Sequence, residues 1–534
     1  MSRRRLALLA AAVVVGLAAC GTTVPRSQRL QAAAGAGSAA SDGSGASAAG
    51  GGLGDGAGLG PSSAGEAAGQ AAGPAAGPSS AGQAAGPAAG PLSAGQQAAG
   101  QQAAGLQAVT DQAAGSALLG PAAAGAGPAA PLLIGILVQA ESSAGINSAA
   151  GISTTATTAW ATFQQPFLDL VKVINANGGL DGHPLRTTVF QFNPDDADYA
   201  TELQAACAQF TQDNHVAVVI SADGFFADSF ESCLNAAGVP DVTASQESIT
   251  AAEEATWPGF SAPVALGSDQ LETAVLTSLT ANRWITPTSR IGVVYTNCPW
   301  DVDAYDNTVT PLVHQLHLDV VSDFSVDCAD GYGSIASSAA ALQAAVLRFK
   351  AAGVNLVLPI SHQEAAGILL FAEAADAQDY DPRYAMSSAG EAAQQAVNLP
   401  KAVLANMEGA GWNPIWDTLA TDVTAPTAKQ CLAEFATAGD HPTAGLDVLQ
   451  AYWACDTFGF YRAAIVAQGG VPTAARMPAD REAIGDTLAL AETIDNGADL
   501  ARGRSGGAPR TAVFAYQAPC ACFAYVTPPE AAPT

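Results

Sequence analysis

The chain has 534 residues, only 13% of them charged, and a formal net charge of −28. Residues 1–130 hold five basic and four acidic side chains, which leaves 15 basic and 44 acidic ones in 131–534, a net of −29. So acidic a globule, with four lysines in the whole chain (Lys172, Lys350, Lys401, Lys429), lacks the cations that draw phosphate, and this excludes nucleic acid and a flat seat on anionic lipid as partners.

At the amino end Arg3, Arg4 and Arg5 precede an uncharged apolar run, Leu6 to Ala19, too short to span a bilayer. That pattern predicts a secretory signal over 1–19. Cys20 directly follows Leu17-Ala18-Ala19 and resembles the lipidated cysteine of a bacterial lipobox, which implies a chain anchored by lipid to the extracytoplasmic face of the cell membrane. From about residue 30 to 130 the sequence is mostly Ala, Gly, Ser, Pro and Gln, with Ala-Ala-Gly-Pro and Gln-Ala-Ala-Gly units recurring between 69 and 105. Glycine every few residues breaks helix and almost nothing there builds a core, so 20–130 reads as a disordered linker. In the flexible regime a hundred residues reach roughly 50–60 Å.

Order is expected from Pro131. Leu132 to Val138 is a continuous apolar run of strand length, as a parallel strand covered on both faces would be. Alternation follows: a helix around 156–176, a strand around 185–192, a helix around 198–213, a strand over Val216–Ser221 and a helix around 225–237. A second series opens with the strand Arg290–Tyr295 and runs through a helix around 303–317, a strand around 318–325, a helix around 336–352, the strand Val354–Ile360 and a helix around 363–377. A helical tail at 427–495 and a terminal strand Thr511–Tyr516 complete the chain. Alternating β and α at this spacing predicts right-handed βαβ crossovers, hence an α/β fold with two doubly wound lobes and a ligand cleft beyond the carboxyl ends of the strands.

Eight cysteines remain once Cys20 is assigned to lipid. An exported chain favours disulfides. Cys207 and Cys233, Cys298 and Cys328, and Cys431 and Cys455 are 26, 30 and 24 residues apart and form plausible local pairs, while Cys520 and Cys522 could close only a small, strained ring. No C-x-x-C pair and no histidine at zinc spacing accompanies them, so no metal is expected. His314 and His317 lack the glutamate of a zinc protease, and Gly503-Arg504-Ser505-Gly506-Gly507 has neither the strand before it nor the helix after it that a nucleophile elbow needs. The chain is therefore read as neither an enzyme nor a cofactor carrier.

Val173-Ile174-Asn175-Ala176-Asn177-Gly178-Gly179-Leu180-Asp181-Gly182-His183-Pro184-Leu185 is the most telling stretch: a helix ends on a double glycine, then a turn leads straight into a strand. It resembles the helix–turn–strand signature of the leucine/isoleucine/valine-binding type of receptor, the type I solute-binding proteins of ABC transporters. Phe192-Asn193-Pro194-Asp195-Asp196, Gly238-Val239-Pro240-Asp241-Val242-Thr243, Arg290-Ile291-Gly292-Val293-Val294-Tyr295 and Ala351-Ala352-Gly353-Val354-Asn355-Leu356-Val357-Leu358 resemble further family segments in the family's order, over about 131–520. The resemblance implies two Rossmann-like lobes joined by three crossovers, near 262, 410 and 505: 131–262 plus 411–504, and 263–410 plus 505–534. It also implies a monomer that captures a small polar ligand, an amino acid or related amide, and hands it to an ABC permease, or, in a sensory relative, signals to a membrane partner.

Carried over residue by residue, the resemblance places ligand contacts on the loops at strand ends. In the first lobe these are Ser142 and Ser143, then Ser221 and Ala222, where the family grips a carboxylate, then Thr243, Ser245 and Gln246. In the second lobe Trp300 falls where the family has a ligand-covering tyrosine, with Tyr305 as its substitute, followed by Ser361, His362 and Gln363. Where amino-acid-binding members pair an acid with the ligand ammonium this sequence has Ala389, and Glu391 is the nearby replacement.

Overall fold

The computed structural model of the protein describes residues 129–139, 164–193, 199–222, 227–244, 247–328, 332–360, 364–418, 425–443, 445–500 and 504–533. The expected signal, Cys20 and all but the last two residues of the linker lie outside these.

Strands β1 (Leu132–Gln139), β2 (Leu185–Phe192), β3 (Val218–Ser221) and β4 (Asp241–Thr243) build a first sheet; β5 (Glu247–Ser248) leaves it, β6 (Phe260–Ser261) completes it, and β7 (Leu266–Gly267) pairs with β5. Its order is β2-β1-β3-β4-β6, every pairing parallel. The helices Gln164–Ala176, Pro426–Ala438 and Gly445–Gln468 share one apolar core with β1, so the tail returns to the sheet that opens the chain. The second sheet holds β8 (Arg290–Thr296), β9 (Asp319–Val326), β10 (Leu356–Ile360), β11 (Arg383–Ser387) and β12 (Met407–Gly411), parallel in the order β9-β8-β10-β11-β12. Strand β13 (Arg510–Gln517) adds antiparallel to β12, and β14 (Cys522–Tyr525) and β15 (Glu530–Ala531) pair antiparallel with β13.

Three passages of chain link the sheets. The first and third lie side by side, Ala262 N–H donating to Ser505 O at 3.0 Å and Ala508 N–H to Ala265 O at 2.9 Å, and the second is bonded to the tail, Ile494 N–H donating to Trp412 O at 2.9 Å.

The expected helix at 303–317 is instead Pro299–Asp303, a π-helical turn Ala304–Val309, and Thr310–Gln315. Pro311 has no N–H to donate and its ring crowds the carbonyl four residues back, so the ladder widens there. The helix expected at 198–213 likewise ends at Ala208 and continues as a π-helical turn over Gln209–Asp213. Strands β11 and β12 and the helix Ser268–Ala281 were not anticipated.

Among the described residues four disulfides form: Cys207–Cys233, Cys298–Cys328, Cys431–Cys455 and Cys520–Cys522. The three with separations of 26, 30 and 24 residues each restrict the unfolded chain by about 3.5 kcal/mol on the chain-entropy model. The fourth joins residues two apart and restricts it by less than half as much.

The turn after Gln164–Ala176 shows why its sequence is so constrained. The Asn175 side chain holds the first residue of β2 from both sides, donating from Nδ2 to Leu185 O at 2.9 Å and accepting from Leu185 N at 2.7 Å. Gly179 has φ +89°, and a Cβ there would stand 2.3 Å from the His183 carbonyl oxygen; Gly182 has φ +86° but open space around it. Gly182→Ala should therefore lose about 1–2 kcal/mol, the left-handed penalty alone, and Gly179→Ala clearly more, since a backbone must also move. Urea denaturation of both variants checks this; equal losses would refute the close-approach argument.

Candidate functional site

The carboxyl ends of both sheets carry the candidate residues. At the end of β3, Ser221 is buried and its Oγ donates to Asp241 Oδ1 at 2.8 Å. Ala222 is buried as well, and its N–H donates to Leu137 O at 2.9 Å, completing the sheet. Thr243 ends β4 and is buried. The Ser221 hydroxyl and the Ala222 amide, proposed carboxylate grips, thus have partners inside the protein. Beneath them Asp241 is hydrogen-bonded to Glu231 of the helix Asp228–Ala237. Burial raises both carboxyls, Asp241 to about 6 and Glu231 well above its usual value, the latter also through the Asp241 charge.

On the second sheet the chain leaves β8 through a fixed corner. The Thr296 hydroxyl accepts from Cys298 N at 3.2 Å and donates to Asp301. Asn297 N–H donates to Val326 O at 2.8 Å, its Oδ1 accepts from Cys328 N at 2.6 Å, and the Cys298–Cys328 bridge fastens the same corner to the end of β9. Trp300, buried, sits on this corner in the first turn of the helix Pro299–Asp303. The half-buried Tyr305 stacks on Tyr295 of β8, ring centroids 4.6 Å apart, so it braces the strand.

At the end of β11, Ser387 donates from its N–H, at 2.8 Å, and from Oγ to the Glu364 carboxylate. Ser388 Oγ donates to Asp417 at 3.1 Å and accepts from Trp412 N at 2.8 Å. Asp417 also accepts from Asn413 N at 3.2 Å and from the Tyr525 hydroxyl at 2.5 Å. Burial holds Glu364 and Asp417 each up to about 7 against these hydrogen bonds. Glu272, buried on the helix Ser268–Ala281, is raised well above the usual range by burial and then by the Glu364 and Asp301 charges. Ala389 is buried between Ser388 and Gly390. Glu391 is half-buried with φ +50°, opens the helix Ala392–Asn398, and donates its N–H to Ser388 O at 3.0 Å. Ser142, Ser143, Ser245, Gln246, Ser361, His362 and Gln363 lie outside the described residues.

Sequence reasoning did not single out Glu272, Asp301, Glu364 or Asp417. A carboxylate set in an apolar or strand-end context was the available signal, as in Leu271-Glu272 and in Trp416-Asp417. Among the described residues no group of three metal-binding side chains comes together, and no helix is long and apolar enough to cross a membrane.

The arrangement, two sheets with parallel cores joined by three passages and strand-end loops on both, is the fold of the type I solute-binding receptors. The solute-binding protein of an ABC transporter from R. palustris, solved in complex with 4-hydroxybenzoate, is similar at TM-score 0.52 and 12% identity, over 76% of this chain and 98% of that one. An extracellular ligand-binding receptor from Verminephrobacter eiseniae is similar at 0.51 and 16% identity, over 74% and 100%. A solute-binding protein of an ABC transporter from Rhodopseudomonas palustris HaA2, in complex with p-hydroxybenzoic acid, is similar at 0.50 and 11%, over 75% and 97%. No protein-family model and no curated protein sequence matches.

The raised carboxyls set the sign of the pH dependence. Asp241, Glu364, Asp417 and Asp456 bind their protons more tightly folded, at about 6 to 7, than unfolded, at about 4. Their contribution is fully present below pH about 4, is lost as pH rises through the folded values, and is level above about 7. The melting temperature should be higher at pH 5.5 than at pH 8 at constant ionic strength, and Asp417→Asn should flatten the difference. A melting temperature that rises from 5.5 to 8 would contradict the burial argument.

Proposed function

We propose that the protein is an extracytoplasmic solute-binding lipoprotein, anchored through Cys20, that closes two lobes on a small polar ligand and delivers it to an ABC permease. The lobes are 131–262 with 411–504, and 263–410 with 505–534. The ligand is an amino acid or related amide, bound by the strand-end loops, and the work is hinge closure with no chemical step and no cofactor. The observation that supports this reading is the pair of sheets linked by three passages of chain, two of which hydrogen-bond to each other through Ala262 and Ser505.

A second reading, an aromatic acid, draws on the 4-hydroxybenzoate held by two structural neighbours and on the indole of Trp300 as an apolar face.

Thermal-shift screening against amino acids, their amides and 4-hydroxybenzoate separates the two readings: stabilisation by the first two classes supports ours, and a shift with 4-hydroxybenzoate alone replaces it. With the ligand in hand, Trp300→Ala should weaken affinity about tenfold, the scale of one truncated aromatic anchor; unchanged affinity removes Trp300 from the site. Deleting the gene should abolish uptake of that ligand, and undiminished uptake would favour a sensory role.

A further inference from the structure

Three of the four disulfides have at least one buried cysteine: Cys207, Cys298, and both Cys431 and Cys455. Cys520–Cys522 differs in every respect. It sits at the turn between β13 and β14, with Cys520 exposed and Cys522 half-exposed. Cys522 is already held in the hairpin as the register partner of Gln517, and Cys520 lies two residues away in the turn, so the bridge ties together residues that the chain itself keeps close. It restrains little of the unfolded chain. It does hold Ala521, a residue with a Cβ, at φ +53°, in the left-handed region. A bridge that adds little to stability, encloses a strained residue and faces solvent has the properties of a reactive disulfide.

We propose that Cys520–Cys522 is a thiol–disulfide exchange site on the outer surface of the protein, taking a thiol reductant as its reaction partner. A thiolate attacks Sγ of Cys520, the more exposed of the two residues; the S–S bond breaks, and Cys522 leaves as a thiolate and takes up a proton. A second thiol attacks the mixed disulfide at the reductant's sulfur, releasing the reductant as its own disulfide and Cys520 as a thiol. Two thiols are thereby oxidised, and the bridge gains two electrons and two protons. Reduction lets Ala521 leave the left-handed region, while the β13–β14 ladder remains. The site is separate from the strand-end loops and does not depend on which solute, if any, they hold.

The test uses the full chain and dithiothreitol. Samples are quenched at intervals with N-ethylmaleimide and each bridge is followed by peptide mass mapping. Cys520 and Cys522 should be labelled at least tenfold faster than Cys298 and Cys328. In a graded series of reduced and oxidised glutathione they should reach half-reduction in mixtures that leave the other three bridges intact. Labelling of Cys520 and Cys522 no faster than that of Cys298 and Cys328, or a bridge that stays oxidised alongside the other three across the glutathione series, overturns the proposal.

Discussion

Asp417 gathers three separated pieces of chain on one buried carboxylate. Ser388, at the end of β11, and Asn413, in the passage after β12, donate to it, as does Tyr525, in the hairpin that closes the sheet. The approach is so close that a Cβ on Gly411 would stand 2.0 Å from Asp417 Oδ2, so the last residue of β12 must be glycine for the knot to form. From the same passage Asn413 Nδ2 reaches Glu492 Oε2 at 2.8 Å, in the segment that follows the tail helices. The passage from the second sheet to the first is thus positioned by directional polar contacts, and a buried acceptor that loses one such donor forfeits about 1–3 kcal/mol.

That dependence follows from the composition. A chain with so few cations must satisfy its buried acids by other means. Glu254 has a guanidinium: Arg481 pairs with it, while donating to Phe260 O at 2.7 Å and Ser261 Oγ at 2.9 Å, which fastens the helix Met477–Ile484 to the edge strand β6. Asp456 instead accepts from the amides of Ala491 and Glu492, and Glu364 from Ser387. Hydrogen bonds of this kind only partly offset burial, so these groups keep their protons to near neutrality. The formal −29 therefore overstates the charge of the folded body near pH 7 by a few units, since several of the acids counted there are partly protonated.

What the sequence made legible was whatever is decided locally. The runs in β1 and β8 are continuous in apolar residues because both faces are covered, and the Asn175 to Leu185 turn can be read because each small residue answers a backbone need within ten positions. The three long disulfides followed from spacing. Strands β11 and β12 stayed hidden because Arg383-Tyr384-Ala385-Met386-Ser387 and Met407-Glu408-Gly409-Ala410-Gly411 mix polar and small residues. The glycines of β12 make sense only with the partner in view: a Cβ on Gly409 would stand 2.2 Å from the Phe514 ring, on a strand about a hundred residues away. The acids were hidden for the same reason, since Glu364 meets Ser387 across 23 positions and Asp417 meets Tyr525 across 108.

The candidate site divides along the same line. Trp300 was placed by a local corner, Thr296 to Asp301, and a disulfide holds that corner to β9, so its position follows from nearby sequence. The surroundings of Ala389 are built otherwise, since the two serines that precede it at the end of β11 bond acids far along the chain, Ser387 to Glu364 and Ser388 to Asp417. An alanine at 389 therefore still has two carboxyls bonded to its neighbours, and desolvation, with no partner cation, raises both to about 7. The local electrostatics are consequently adjustable by proton uptake at near-neutral pH, whereas the corner that carries Trp300 is fixed by a covalent bond.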